Sequence, residues 1–266
     1  MAKDNKTASP ATAIGIDIGG TGMKGGIVDL QQGKLIGERF RIPTPKPSTP
    51  EAVADVVGEI VEELMKRDAA PDPSTPVGAA FPAIIDDGVA RSAANVDKTW
   101  IDADVDGIFT ARLGREVHII NDADAAGLAE ARYGAGRGVK GSVLAITLGT
   151  GIGSAMLYNG TLIPNFELGH LEVDGHDAES RASASARERE DLPWPEYSER
   201  LQRYFSHVEF LFSPKLFIIG GGISKRAEDF LPNLDLRTPT VVAELKNNAG
   251  IVGAALQAAL HFDLVD

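Results

Sequence analysis

The most informative part of this sequence for its fold is Asp17-Ile18-Gly19-Gly20-Thr21-Gly22-Met23-Lys24-Gly25-Gly26-Ile27. The apolar run 13–18 leads into it and predicts a buried strand, and residues 26–30 predict a second strand. Between them lies a turn of small residues that exposes backbone N–H groups. Residues 147–156, Thr-Leu-Gly-Thr-Gly-Ile-Gly-Ser-Ala-Met, repeat this design. The repetition predicts two related lobes that face one cleft; two unrelated glycine hairpins are the alternative.

The first turn contains a literal G-x-G-x-x-G at Gly20, Gly22 and Gly25. A dinucleotide-binding site needs a helix directly after these glycines, whereas here a strand is predicted. The P-loop pattern G-x-x-x-x-G-K-[ST] does not occur in the sequence. Both turns therefore predict hairpin cradles for phosphate, an arrangement that suits phosphoryl transfer, which depends on alignment and charge stabilisation.

The two turns supply the candidate phosphate-binding residues. These are Gly19, Gly20, Thr21, Gly22, Lys24, Thr147, Gly149, Thr150 and Gly151. Asp17 ends the first strand and is a candidate Mg²⁺ ligand, because Mg²⁺ prefers few carboxylates and several waters. The alternatives are a solvated strand end for Asp17 and a surface lysine for Lys24.

Composition limits the possible partners. The 266 residues carry a net charge of −12 and include no Cys. Long-range repulsion opposes binding to nucleic acid or an anionic membrane, and disulfides and thiolate zinc sites are impossible. The absence of Cys fits a reducing cytoplasm. No apolar run is long enough to span a membrane, and residues 1–11 predict a disordered tail. Apolar and helical patterns predict strands over residues 77–81, 152–158 and 240–242 and a helix over residues 194–212. Strands alternating with helices predict an α/β fold.

Asn121-Asp122 follows the apolar run 117–120 and precedes an Ala-rich helical stretch. Either residue could cap the helix by accepting hydrogen bonds from its free N–H groups. Alternatively, the Asp122 carboxylate could accept a proton from a sugar hydroxyl as that hydroxyl attacks phosphorus. The two phosphate turns elsewhere in the chain favour the catalytic role for Asp122.

Three further stretches of the sequence contain polar side chains or a run of glycines that could bind a ligand. The side chains of Glu167-Leu168-Gly169-His170 could form hydrogen bonds with sugar hydroxyls. The alternative is a structural His–carboxylate pair. A metal site is disfavoured because the chain has no Cys. Asn95 could form an Asx-turn or contact a sugar, and the nearby Trp100 is expected in the core. Gly220-Gly221-Gly222 could let a nucleotide base lie against the main chain, or could be a tight strand-to-helix turn.

Taken together, these motifs resemble the ROK family of sugar kinases and repressors, within the actin-like phosphotransferase superfamily. The resemblance runs from Ile14 to Leu260. It implies a two-lobed, actin-like (ribonuclease H-like) fold with a cleft between the lobes. It also implies that Asp122 is the general base and that the hexose is bound by Asn95, Asn121, Asp122, Glu167, His170 and Glu179. Glu179 lies in Ala-Glu-Ser-Arg-Ala-Ser, which looks like the family's L-E-x-x-A-S stretch.

One departure from the family pattern is informative. Many members carry a Cys-rich zinc loop after the Gly-His pair, but here only residues 171–177 separate that pair from the Glu179 stretch, and no Cys is present. We therefore expect no zinc. The short form resembles actinobacterial polyphosphate glucokinases, including the polyphosphate/ATP-glucomannokinase type. The residues before the first strand are too few for the DNA-binding domain of the repressor branch.

These expectations combine into one prediction. Residues 12–120 form a small lobe, joined by a C-terminal helix over 247–262, and residues 121–246 form a large lobe. The predicted reaction transfers a phosphoryl group from polyphosphate or ATP to the 6-hydroxyl of glucose, or of mannose, in a homodimer. A non-catalytic sugar sensor, an ATP-only glucokinase and an actin-like ATPase are the alternatives. Lys24, Lys98, Arg132, Arg137, Lys140, Lys225 and Arg226 are candidates for a polyphosphate track.

Overall fold

The computed structural model describes residues 12–93 and 96–265. In chain order the strands are β1 Thr12–Ile18, β2 Met23–Asp29, β3 Lys34–Ile42, β4 Val77–Phe81, β5 Ile85–Asp86, β6 Val89–Ala90, β7 Val117–Asn121, β8 Ser142–Leu148, β9 Ile152–Tyr158, β10 Thr161–Ile163, β11 Glu172–Val173, β12 His176–Asp177, β13 Leu216–Gly220 and β14 Thr240–Val242. The α-helices are α1 Pro50–Leu64, α2 Val105–Leu113, α3 Asp122–Tyr133, α4 Ala178–Ala182, α5 Ala184–Arg189, α6 Trp194–Phe212 and α7 Ala249–His261.

Two five-stranded sheets share one topology. Their strand orders are β3-β2-β1-β4-β7 and β10-β9-β8-β13-β14. In each sheet the central strand pairs antiparallel with the next strand in the chain and parallel with a later one. Each glycine turn joins the two antiparallel strands, because it lies between β1 and β2 in one sheet and between β8 and β9 in the other. The repeat read in the sequence is therefore a repeat of structure.

The helices form layers around the two sheets. α1 and α2 cover the outer face of the first sheet, and α6 packs on the second sheet through Leu201, Tyr204 and Phe205. α7 lies against β1 and β4, α3 lies against β8 and β9, and these two helices pack on each other in the middle of the molecule. Burial of apolar surface on both faces of each sheet stabilises this layered arrangement.

Close approach between α7 and its neighbours requires glycine at two positions. A Cβ at Gly78 in β4 would lie 1.9 Å from the carbonyl oxygen of Ala254. A Cβ at Gly253 in α7 would lie 1.8 Å from the carbonyl oxygen of Ala125 in α3. Since no side chain fits at such distances, the backbone of α7 rests directly on the first sheet and on α3.

The predicted elements agree closely with the structure. The strands over 77–81, 152–158 and 240–242 and the helix over 194–212 have the predicted bounds. Trp100 is fully buried and packs 4.6 Å from Phe81 between ring centroids, which confirms its place in the core. Short strands such as β5, β6, β11 and β12 were not predicted.

The tail over residues 1–11 and the candidate sugar ligand Asn95 lie outside the described residues. The lobe boundaries at 120/121 and 246/247 stay predictions. Across the described parts of the chain, none of the helices has the length and apolar character needed to cross a bilayer.

Candidate active site

The carboxyl ends of equivalent strands in the two sheets meet at one cleft. Asp17 near the end of β1 and Asp122 after β7 come from the first sheet; Thr147 in β8 and Gly220 in β13 come from the second. The cleft has a volume of about 740 Å³. Crevices at the carboxyl ends of strands are where open α/β sheets bind ligands. Strand residues of both hairpins, Asp17, Lys24 and Thr147, therefore line one cavity together with the predicted base Asp122.

Asn121 fixes the start of the helix that carries Asp122. Its Oδ1 accepts hydrogen bonds from the N–H groups of Ala123 (2.9 Å) and Asp124 (3.0 Å), and its Nδ2 donates to the carbonyl of Ala83 (2.9 Å). The capping interpretation is thus correct for Asn121, which satisfies two free N–H groups of α3. Its second amide hydrogen is the group left for the predicted sugar contact.

Asp122 is the first residue of α3 and lines the cleft. Its side chain is accessible to solvent from the cleft, but protein atoms enclose it on the other sides. Its pKa is raised from 3.8 to about 6, mainly because the surrounding protein excludes water and also because of the nearby charges of Asp17 and Glu167, while the N–H of Ala123 opposes the shift. A carboxylate with such a pKa is ionised at neutral pH yet accepts a proton readily, which are the properties of a general base.

The first glycine turn is closed by a hydrogen bond from Gly19 N–H to the Gly22 carbonyl, at 3.2 Å. Thr44 donates to the Gly19 carbonyl, and the Arg41 guanidinium donates to the Thr21 carbonyl at 3.2 Å. Thus β3 and the residues after it brace the turn, a contact that local sequence pattern did not indicate.

Two charged residues of the first hairpin reach the cleft. Lys24 Nζ lies 2.7 Å from Asp17 Oδ2, and both side chains are part of the cleft lining. The turn residues Gly19, Gly20, Thr21 and Gly22 lie outside that lining. Their phosphate-binding role stays a prediction.

The second glycine turn is tied to the predicted sugar site. Its N–H at Gly149 donates to the Gly151 carbonyl (2.9 Å), and Ser185 at the start of α5 donates from its backbone to the Gly149 carbonyl (3.1 Å). Glu179 Oε2 accepts a hydrogen bond from Ile152 N–H at 3.0 Å, directly after the turn. A Cβ at Gly151 would lie 2.2 Å from that same oxygen. Glycine at 151 therefore leaves the space that the Glu179 carboxylate occupies.

The second turn also stays partly outside the cleft. Thr147 is part of the lining, whereas Gly149, Thr150 and Gly151 are not. The phosphate-binding roles of these residues remain predictions.

Glu167, His170 and Glu179 form one electrostatic cluster. Burial raises the pKa of Glu167, the charge of His170 lowers it, and the charge of Glu179 raises it. His170 Nδ1 lies 2.8 Å from Asp177 Oδ2, and this contact raises the pKa of His170. The structure thus contains a His–carboxylate pair and also brings the three predicted sugar ligands together. Asp177 was not predicted; its position before α4, which it caps, was the available signal.

Asn165 joins three parts of the site and was also missed. Its Oδ1 accepts from Ile85 N–H (3.1 Å) and its Nδ2 donates to the Ile85 carbonyl (2.6 Å), so it clasps β5 in the way a neighbouring strand would. Its own N–H donates to Asp124 Oδ2 at 2.8 Å. Because Glu167 follows two residues later, the clasp connects the first lobe, the helix of Asp122 and the loop of Glu167.

Asp124 is buried, at 1% exposure, and its Oδ1 has no hydrogen-bond partner among the described residues. Its pKa is raised from 3.8 to about 7, mainly by burial and in part by the charges of Glu167 and Asp122, against the lowering effect of the Asn165 N–H. It is therefore a buried acid beside the site, with half of its hydrogen-bonding capacity unused.

Gly220, Gly221 and Gly222 line the cleft opposite the amino end of α7, where Ala249 and Gly250 also contribute. Gly221 has φ +82°, and a Cβ there would lie 2.3 Å from the Leu148 carbonyl oxygen. The stretch is thus a tight turn after β13, and it also presents bare backbone to the cavity. Its nucleotide-binding role remains a prediction.

The chain resembles proteins of known type. Residues 13–188 match the ROK family. The polyphosphate glucokinase of Mycobacterium tuberculosis (strain CDC 1551 / Oshkosh) is 51% identical over 244 residues, which cover 91% of this chain and 89% of the relative.

Two solved structures extend this resemblance to the fold. The crystal structure of the inorganic polyphosphate/ATP-glucomannokinase from Arthrobacter sp. strain KM has a TM-score of 0.91 at 69% identity and covers 94% of this chain and 99% of its own. The ROK family glucokinase from Streptomyces griseus, in complex with glucose and AMPPNP, has a TM-score of 0.79 at 25% identity, covering 94% and 100%. The predicted actin-like two-lobed fold is confirmed, and the chain belongs to the ROK family.

Proposed function

We propose that this protein transfers the terminal phosphoryl group of inorganic polyphosphate or ATP to the 6-hydroxyl of glucose, with mannose as a further acceptor. The observation that carries the proposal is the convergence of both hairpins, through Asp17, Lys24 and Thr147, on the cleft that contains Asp122. A glucose-bound and AMPPNP-bound relative and a polyphosphate-using relative support the choice of acceptor and donors.

The residues divide the work as follows. The hexose would be held by Asn95, Asn121, Glu167, His170 and Glu179. Its 6-hydroxyl gives its proton to Asp122. The hydroxyl oxygen forms a bond to the terminal phosphorus as the bond from phosphorus to the bridging oxygen breaks. The products are hexose 6-phosphate and either ADP or a polyphosphate chain shorter by one unit. Backbone N–H groups of the two glycine turns would stabilise charge on the migrating group.

A Mg²⁺ ion fits the donor set of this cleft. Asp17 offers a carboxylate there, and only its Oδ2 is engaged by Lys24. Mg²⁺ is commonly held by one or two carboxylates together with substrate phosphates and water. Asp17 would hold the ion, which when bound neutralises charge on the donor phosphates. Because the chain has no Cys, we expect no zinc at His170 and a cytoplasmic location. The family resemblance implies a homodimer.

The test is a matrix of donors and sugars. ATP or polyphosphate is combined with glucose, mannose or fructose, and hexose 6-phosphate is measured by a coupled dehydrogenase. For Asp122→Asn we expect kcat to fall by roughly 10²- to 10⁴-fold, because the general base is lost. Asp87→Asn, at an exposed aspartate, is the matched control. Sugar-independent donor hydrolysis, or near-wild-type turnover of Asp122→Asn, would contradict the proposal.

A further inference from the structure

The charge of the side chains that line the cleft changes along its length. Asp17 and Asp122 contribute carboxylates, whereas Lys225 and Lys246 contribute ammonium groups from two separate segments. Lys225 lies in the 3₁₀ segment Gly222–Asp229 after β13, and Lys246 begins the 3₁₀ turn Lys246–Asn248 before α7. Two elements of the second half of the chain thus present cations to the same cavity.

Neither lysine is neutralised by the protein. Within residues 12–93 and 96–265, Lys24 is paired with Asp17, but Lys225 and Lys246 form no ion pair and both are exposed. An unpaired ammonium group keeps its full attraction for an anionic ligand, since no carboxylate competes for it. These two lysines are therefore the cations of the cleft that are free to bind a donor.

The position of Lys246 is fixed by buried structure. Glu130 of α3, which is 2% exposed, accepts a hydrogen bond from Leu245 N–H at 2.7 Å. Lys246 itself has φ +52°, a left-handed conformation that a non-glycine residue adopts only when its surroundings impose it. The carboxylate that places this loop belongs to the helix that carries Asp122. The backbone at Lys246 is thus held by the framework of the site, and its exposed side chain extends from that fixed point.

The neighbouring backbone also favours anions. α7 begins at Ala249 without a side-chain cap, and Ala249 and Gly250 line the cleft. Free N–H groups and the positive end of the helix dipole attract phosphate. Opposite them, Gly221 and Gly222 offer backbone without side chains. This part of the cleft accepts either a flat neutral group or further phosphates.

We propose that Lys225 and Lys246 bind the distal phosphates of polyphosphate and thereby select the donor. This inference rests on the proposed function. In ATP, the part of the donor beyond its phosphates is an uncharged nucleoside, whereas in polyphosphate every further unit carries a negative charge. The two lysines therefore stabilise bound polyphosphate much more than bound ATP.

The other basic residues considered for a track are placed differently. Arg132, Arg137 and Lys140 line a second groove of about 1600 Å³, which shares no lining residue with the cleft of Asp122. Lys98 and Arg226 are not part of the cleft lining. The geometry therefore assigns the polyphosphate path to Lys225 and Lys246.

The experiment compares three donors in the full-length enzyme: ATP, tripolyphosphate and long-chain polyphosphate. For Lys225→Gln and Lys246→Gln we expect KM for long-chain polyphosphate to rise on the order of 5- to 10-fold each, as for the loss of one close charge contact. KM for ATP should change less than about twofold, and the salt dependence of polyphosphate use should weaken. Lys215→Gln removes an exposed charge that lies outside the cleft lining and forms no ion pair with any described residue, and it is the matched control.

The outcomes separate this proposal from the proposed function. Equal losses with ATP and polyphosphate would overturn it, because the lysines would then contact phosphates common to both donors. Unchanged kinetics, or a polyphosphate defect in Lys140→Gln alone, would also overturn it while leaving the reaction intact. A wild-type enzyme that uses ATP only would overturn the polyphosphate part of the proposed function, and this proposal with it.

Discussion

Asp124→Asn is expected to stabilise the protein at alkaline pH. In the folded chain the pKa of Asp124 is about 7, against an ordinary value of 3.8. The folded state therefore holds this proton more tightly than the unfolded state, and stability is lost as pH rises from about 4 to about 7. A difference of about three pKa units corresponds to about 4 kcal/mol of unfolding free energy. Asparagine is neutral throughout and avoids this loss.

The substitution preserves the local contacts. An asparagine oxygen can accept the hydrogen bond that Asn165 N–H now donates to Asp124 Oδ2. Its NH₂ group would stand where Oδ1 now has no partner, which costs about as much as the O–H of the protonated acid does. The two proteins should therefore have similar stability near pH 4.

The assay is urea unfolding followed by circular dichroism at pH values from 4 to 8. We expect the difference in unfolding free energy between Asp124→Asn and wild type to grow by about 4 kcal/mol across this range. Asp122 and Glu167 titrate in both proteins and largely cancel in the difference. Asp87→Asn should show no such trend, since Asp87 is exposed. A difference that is flat with pH, or a variant less stable than wild type at pH 8, would refute the reasoning.

Three further predictions concern catalysis. The pH profile of kcat/KM should rise through about pH 6, since Asp122 must be ionised to act as a base; a profile flat from pH 5 to 8 would exclude this assignment. Gly151→Ala should raise KM for glucose on the order of tenfold, measured by initial rates, because the new methyl group displaces the Glu179 carboxylate. A normal KM would show that Glu179 does not bind sugar. Asn165→Gly removes the clasp on Ile85 without backbone strain and should lower kcat/KM for glucose by about 10- to 100-fold, as expected for two lost hydrogen bonds. If Asn165→Asp retains activity, the hydrogen bond that Ile85 N–H donates is the contact that catalysis requires. If Asn165→Gly is as active as wild type, the contact between Asn165 and Ile85 plays no part in catalysis.

The elements that the sequence predicted well are those with local signals. A continuous apolar run bounded by glycine or proline, such as residues 77–81, indicates a strand that is buried on both faces of its sheet, and its ends give the bounds of the strand. The duplicated hairpin was visible because both copies need small residues at their turns. The meeting of Asp17 and Asp122 follows from the parallel pairing of β1, β4 and β7, whose carboxyl ends lie at one edge of the sheet.

The missed features depend on contacts between distant parts of the chain. Asn165 lies in an irregular loop, and its partner Ile85 belongs to a strand of only two residues. No local periodicity marks either residue. The same holds for the basic residues: their spacing along the chain did not tell which of them share a groove, and only the fold separates Lys225 from Arg137.

The duplicated architecture explains why the predicted base can respond to both halves of the molecule. Asp122 follows β7, the edge strand of the first sheet, yet it begins α3, which packs against β9 of the second sheet. α3 also contacts α7 through Gly253, where no side chain separates the two backbones. A shift of one sheet relative to the other must therefore move or strain the end of α3 at Asp122. If the sugar binds at Glu167 and the donor near Gly220, as proposed above, closing of the cleft around both ligands would align the base, the attacking hydroxyl and the phosphorus in a single motion.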